Sequence, residues 1–221
     1  MELAVEANLG RFAPRWACYD VVMPGCGLHA YHWIGHALAL RVLERRGAMR
    51  VRRIYGASSG AVLAVLYACG VGFDEWRAHY DETRRRLAAG EWLADIYRDV
   101  LARVLPDDAH EQCAGRVVVA VTALGAFVPR HAMVTTFATR DELLDCVYAA
   151  TLIPFVTAAR PCAPLRGKWY CDAMVMPTLT SDVPLVTLVP RDASMLRRLV
   201  PAARLEVDVV GGAEELMRML V

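Results

Sequence analysis

One cluster of residue types in this chain can attack an ester carbonyl. It is Gly56-Ala57-Ser58-Ser59-Gly60, a G-x-S-x-G pentapeptide. A short run with an apolar end, Val51-Arg52-Arg53-Ile54-Tyr55, precedes it, and Ala61-Val62-Leu63-Ala64-Val65-Leu66 follows as a buried helix. Strand, tight turn and helix are the context that makes this pattern a nucleophile elbow. Gly56 and Gly60 suit a sharp, crowded turn. Ser58 would stand at a helix N-terminus, where the dipole and free N–H groups favour developing negative charge. Gly56, Ala57, Ser59 and Gly60 would form the elbow around Ser58, and Ser59 would enter the helix. The plainer alternative is a glycine-rich turn with a capping serine.

Upstream, Cys18–Met23 reads as a strand and leads into Pro24-Gly25-Cys26-Gly27-Leu28-His29-Ala30. Glycines here let backbone N–H groups converge on one concavity. A hydrolase needs such a place for the oxyanion of its tetrahedral intermediate. G-x-G-x-x-A after a strand also fits a dinucleotide fingerprint, which wants an acid at the end of the next strand. Glu44 has the spacing but sits in a helical pattern, and the next strand ends Ile54-Tyr55-Gly56 without an acid.

A serine nucleophile needs a base. Lys168-Trp169-Tyr170-Cys171 reads as a short strand that delivers Asp172. The order serine, acid, histidine of an α/β-hydrolase is hard to satisfy, because the last histidine is His131. Asp107 or Asp108 with His110 or His131 stays open as a triad; a direct Ser58–Asp172 dyad is simpler. A lone Asp after a strand is otherwise an ordinary turn residue.

With these elements in view the chain resembles a patatin-like phospholipase domain, most of all the adipose triglyceride lipase and adiponutrin branch. Four stretches carry the resemblance, in matching order over roughly residues 17–200. They are Gly25-Cys26-Gly27 running on to Tyr31-His32-Trp33-Ile34-Gly35; Arg53-Ile54-Tyr55-Gly56-Ala57-Ser58-Ser59-Gly60-Ala61; Thr139-Arg140-Asp141-Glu142-Leu143-Leu144; and Ile153-Pro154-Phe155 leading to Arg166-Gly167-Lys168-Trp169-Tyr170-Cys171-Asp172. The resemblance implies a lipid acyl-ester hydrolase of phospholipase A or acylglycerol lipase type. Ser58 would be the nucleophile, Asp172 the base, and the backbone of Gly25, Cys26, Gly27 and Leu28 the oxyanion hole. It implies an acyl-enzyme intermediate, no cofactor and no metal.

Two departures from the family pattern bear on activity. Ala30 stands where the glycine-rich loop ends in glycine. After the acid the family has Asp-Gly-Gly or Asp-Gly-Ala, where this chain has Asp172-Ala173-Met174-Val175-Met176-Pro177-Thr178. If the residue after the acid needs a positive φ, Ala173 costs about 1 kcal/mol relative to glycine. On that condition Ala173→Gly keeps or raises activity. The alternative function is a catalytically weak or inactive patatin-like domain that binds lipid or a protein partner.

The 221 residues fit one domain, 1–221, with a sizeable core. Hydrophobic content of 56% and a mean hydropathy of +0.30 suit a mostly parallel sheet with both faces covered. The apolar runs are too short for a transmembrane span, and the N-terminus lacks the pattern of a secretory signal. Seven cysteines without a C-x-x-C pair read as free thiols in a reducing compartment, with Cys26 open to reactivity. The expected location is cytoplasmic, peripheral to membranes or lipid droplets. Net charge is +1, which with no recognised motif argues against nucleic acid. Arg41, Arg45, Arg46, Arg50, Arg52, Arg53 and then Arg84-Arg85-Arg86 suit solvated helix faces, or else anionic lipid head groups. His29, His32 and His36 are helically spaced but lack the glutamate of a zinc-protease motif.

Strand and helix patterns alternate along the chain. Helices are expected over His29–Arg46, Ser59–Cys69, Phe73–Ala89 and Glu91–Leu105, and from the Thr139/Glu142 capping box to Ala150. Strands are expected at Val117–Val121, Met133–Phe137 and Leu185–Val189, and a last helix at Ala213–Leu220. Asp74–Ala89, with Trp76, Tyr80 and Leu87, is amphipathic and suits core packing or a lid. The expected fold is α/β, a three-layer patatin-like sandwich with a mostly parallel central sheet and helices on both faces.

Overall fold

A computed structural model describes residues 18–25, 27, 34–125, 128–174, 177, 179, 181–183 and 185–187. It is an α/β structure with a mostly parallel central sheet. The elements run β1 (Cys18–Met23), α1 (Ile34–Arg45), β2 (Arg50–Ala57), α2 (Ser59–Ala68), α3 (Phe73–Ala88), α4 (Leu93–Val104), α5 (Ala109–Cys113), β3 (Val117–Leu124), β4 (Arg130–Val134), α6 (Arg140–Thr151), β5 (Ala163–Leu165), β6 (Lys168–Asp172) and β7 (Leu185–Thr187). The strand order is β5-β6-β3-β2-β1-β7, with β4 also on β3. β7, β1, β2 and β3 are parallel neighbours, and β4, β5 and β6 join antiparallel.

The pairing around β3 decides where the chemistry sits. β4 holds one edge of β3 from Val119 to Ala123. The other edge is shared. β2 pairs along it up to Ala57 opposite Ala120, and β6 takes over with Asp172 opposite Val121. β2 thus stops where β6 ends, and the residue that leaves β2 meets the residue that ends β6.

Alternation sorts the strand side chains onto two faces. Val21, Met23, Ile54, Val117, Val119 and Val121 join the buried residues of α1, α2, α4 and α6 in one core. Val22, Tyr55 and Val118 face the other way, against Leu179 and Leu185. The expected last helix, Ala213–Leu220, and the end of the strand beyond Thr187 lie outside the described residues. α2 is buried at every position from Ser59 to Ala68, as its uniformly apolar sequence requires. Its C-terminal carbonyls are capped by Arg41, which bonds Leu66 O at 3.0 Å, Tyr67 O at 3.1 Å and Val71 O, and lies over the Tyr67 and Trp76 rings.

Asp20, fully buried, ties the far side of the sheet together. It accepts from Arg52 Nε at 2.9 Å and Nη2 at 2.8 Å, and from the Ser181 hydroxyl at 2.8 Å. Burial pushes its carboxyl up, but the bonds from Arg52 and Ser181 outweigh that and hold it below the usual range. The Ser181 bond anchors the segment between Asp172 and β7.

Three differences from the sequence reading have clear causes. The strand expected at Met133–Phe137 is Arg130–Val134. Thr135 and Thr136 have suitable β-branched side chains, but their carbonyls accept from the Gly115 N–H and from Arg166, outside the ladder. In the capping box, Thr139 Oγ1 accepts the Glu142 N–H at 3.1 Å as expected, but Glu142 returns its bond to the Ala138 N–H, one residue early. α5 and β5 are too short to leave a periodic signature. Of the helix expected at His29–Arg46, Ile34–Arg45 is described. Trp76 of α3 is 2% exposed within the core, so this helix packs as core along that line. Among the described residues no helix is long and apolar enough to cross a membrane.

Candidate active site

Ser58 links the end of β2 to the start of α2 with φ 52 and ψ −133. A serine rarely holds that backbone unless its surroundings impose it. Here two close approaches do. A Cβ on Gly60 would stand 1.8 Å from the Met23 carbonyl oxygen, and one on Gly56 would stand 2.6 Å from Ala61 Cα. The first turn of α2 therefore lies directly over the ends of β1 and β2. Ser58 is left half-buried at the sharp point of the turn, and Ser59 is 2% exposed within the helix.

The loop after β1 comes up against this point. A Cβ on Gly25 would lie 2.4 Å from Ser58 Cβ and 3.2 Å from Ser58 Oγ. Only a glycine backbone can pass so near the hydroxyl. Gly27 takes a left-handed φ of 57. Cys26 and Leu28, the other two residues expected to line an oxyanion hole, and Ala30 lie outside the described residues.

Asp172 arrives from the other side, as the last residue of β6, and is 2% exposed. Its N–H donates to the Leu152 carbonyl at 2.8 Å, which fixes the end of the strand against the C-terminus of α6. Its Oδ1 accepts the Met174 N–H at 2.7 Å. Burial pushes the carboxyl up to about 6, against the hydrogen bonding of Ser58 and the Met174 N–H. Oδ2 has no partner in full hydrogen-bond geometry. The approach of Ser58 to the carboxyl is therefore a loose one, as unliganded nucleophile–base pairs often are. A buried carboxyl with its pKa near 6 and a hydroxyl beside it is suited to accept a proton at neutral pH.

The condition weighed for the residue after the acid is not met. Ala173 is not among the residues with positive φ; it is buried and packs on Ala57 and Ala120. The left-handed position is Met174, with φ 62. The condition behind a benefit from Ala173→Gly is therefore absent, because the turn is made one residue later.

The other candidates lie elsewhere. His131 is exposed on β4, across β3 from Asp172. Asp107, Asp108 and His110 precede β3 and lie at the opposite end of the sheet from Ser58. Glu44, the acid of the dinucleotide alternative, is engaged internally by the Val51 N–H at 2.8 Å and the Tyr67 hydroxyl at 2.6 Å. His36 is on α1, while His29 and His32 lie outside the described residues. Among the described residues no group of three or more His, Cys, Asp or Glu is placed to hold a metal. The six described cysteines are free thiols. Several of the arginines singled out are used internally: Arg41 as above, Arg52 with Asp20 and Asp182, and Arg86 with Glu91 and Asp99.

Sequence reasoning missed three exposed apolar residues close along the chain to Leu152 and Asp172. Phe155 and Val156 follow closely on Leu152, the acceptor of the Asp172 N–H, and Met174 follows Asp172; these three side chains are 67%, 68% and 62% exposed. An apolar run after a helix is ordinarily read as core, so only burial distinguishes it.

Comparison with known proteins gives the family of the chain. The chain is 29% identical over 174 residues to human "Patatin-like phospholipase domain-containing protein 2", covering 75% of this chain and 34% of that protein. It is 31% identical over 166 residues to human "Patatin-like phospholipase domain-containing protein 5", covering 72% and 37%. It is 27% identical over 162 residues to human "Omega-hydroxyceramide transacylase", covering 70% and 30%. The chain thus spans about a third of the length of these relatives. The family profile described as Patatin-like phospholipase matches residues 21–185, and this chain belongs to that family.

Proposed function

We propose that this chain is a lipid acyl-ester hydrolase that works through a Ser58–Asp172 dyad. The observation that most supports this reading is the meeting of the two side chains where β2 gives way to β6 along one edge of β3. Ser58 Oγ attacks the ester carbonyl while Asp172 takes its proton. Negative charge on the former carbonyl oxygen is met by N–H groups of the Gly25–Leu28 loop and by the N-terminus of α2. The carbon–oxygen bond to the leaving alcohol breaks, and Asp172 returns the proton to that oxygen. A water then attacks the acyl-serine, gives its proton to Asp172 and releases a fatty acid as Ser58 recovers its hydrogen. An alcohol in place of water would make the reaction an acyl transfer. No cofactor enters either half.

The substrate is a phospholipid or acylglycerol met at a lipid surface, with Phe155 and Val156 against the acyl chains. The working location is cytoplasmic, at the periphery of membranes or lipid droplets. Turnover of a short-chain ester and of phospholipid vesicles tests the reading. Ser58→Ala and Asp172→Asn should each lower turnover by about a thousandfold, and the double variant by little more. Full turnover by Asp172→Asn would remove Asp172 from the mechanism.

The second reading is a domain that binds lipid or a protein partner and turns over weakly or not at all. The bare Asp172 Oδ2 favours it. Vesicle binding without turnover by the unmodified protein would select it.

A further inference from the structure

Met174 holds a backbone conformation that its own side chain disfavours. With φ 62 it is left-handed, where a Cβ crowds the following carbonyl. Packing of the side chain does not impose this, because it is largely exposed. The peptide plane shared with Ala173 aims the Met174 N–H, and the left-handed φ sets how the chain continues from that plane. The Met174 N–H turns back two residues to Asp172 Oδ1 at 2.7 Å. Ala173, between them, is held by Ala57 and Ala120, so the turn rests on the sheet itself. Oδ1 is thus fixed, Oδ2 is bare, and Ser58 is the side chain that bears on the carboxyl.

Resting on the hydrolase reading above, we propose that Met174 is a positioning residue for the general base: its backbone N–H clamps Asp172 through Oδ1 and leaves Oδ2 for the proton of Ser58, and its left-handed φ lets the chain continue without turning that peptide away. The group that matters is the backbone N–H, and the thioether is incidental to the clamp. Residues that resist a positive φ loosen the base although they never touch the substrate.

Two measurements test this. The first needs no turnover. The Met174 amide proton should shift with pH, with its midpoint near that of the Asp172 carboxyl, about 6, and the titration should vanish in Asp172→Asn. A Met174 amide that does not titrate overturns the clamp. The second is the pH dependence of ester turnover. Met174→Val keeps the N–H but resists the conformation, and should lower kcat by about tenfold with KM within about twofold. Met174→Pro removes the N–H and should also move the acid limb upward by about one pH unit. Met174→Gly keeps the N–H and accepts the conformation, and should leave the acid limb in place. An acid limb that moves in Met174→Gly, or a kcat of wild-type size in Met174→Val, overturns the proposal. A protein without turnover whose Met174 amide still titrates would remove the hydrolase reading and keep the clamp.

Discussion

The backbone of Gly25 lies against the side chain of Ser58, so close that a Cβ there would stand 2.4 Å from Ser58 Cβ. Two distant stretches of chain, the loop after β1 and the turn after β2, are thereby brought together at one hydroxyl. Gly25→Ala should lower serine reactivity by about a hundredfold, since small displacements at a reacting atom are costly. The measurement is the rate of labelling by a serine-directed reagent, with thermal unfolding followed in parallel. Labelling at the wild-type rate would mean that the loop is free to move away.

Gly60 makes the tightest approach of the described glycines, to the Met23 carbonyl. Gly60→Ala should destabilise the fold by about 3 kcal/mol through overpacking against a backbone that cannot yield. Gly35→Ala is the control. It lies in α1 with nothing within 4 Å of an added Cβ and should gain roughly half a kcal/mol of helix stability. Urea midpoints of the two variants should move in opposite directions.

Asp172 should set both the acid limb of activity and part of the pH dependence of stability. Turnover should rise with pH through about 6 as the carboxyl ionises. Its folded pKa is raised, so the folded state holds this proton more tightly than the unfolded chain does. The stabilisation is full below the ordinary value of 3.8 and is lost as pH rises through about 6. Moving a carboxyl that far corresponds to about 3 kcal/mol. Asp172→Asn should therefore be inactive yet more stable than wild type at pH 8, with the gain gone by pH 3.5. Denaturant titrations at both pH values check the sign.

The elbow was legible in the sequence because Gly56 and Gly60 flank a serine between a β-rich run and a helix that is apolar on every side. The place of Asp172 at the end of a short strand was legible from Lys168–Cys171. The shared edge of β3 was not, since the pairing of Val121 with Asp172 joins residues that local patterns cannot connect. The left-handed position was expected conditionally at Ala173 and lies at Met174. A run of residues after an acid does not say which of them turns; the packing of Ala173 on Ala57 and Ala120 decides it. Arg130–Val134 was placed too late because Thr135 and Thr136 have strand-like side chains but spend their carbonyls outside the ladder.

The most direct test of the central claim is peptide mapping after treatment with a fluorophosphonate, on the unmodified protein and on Asp172→Asn. The account predicts one modified residue, Ser58, labelled faster as pH rises through about 6, and little labelling without the Asp172 carboxylate. Label on Ser59 with Ser58 untouched, or labelling of Asp172→Asn at the unmodified rate, would contradict it.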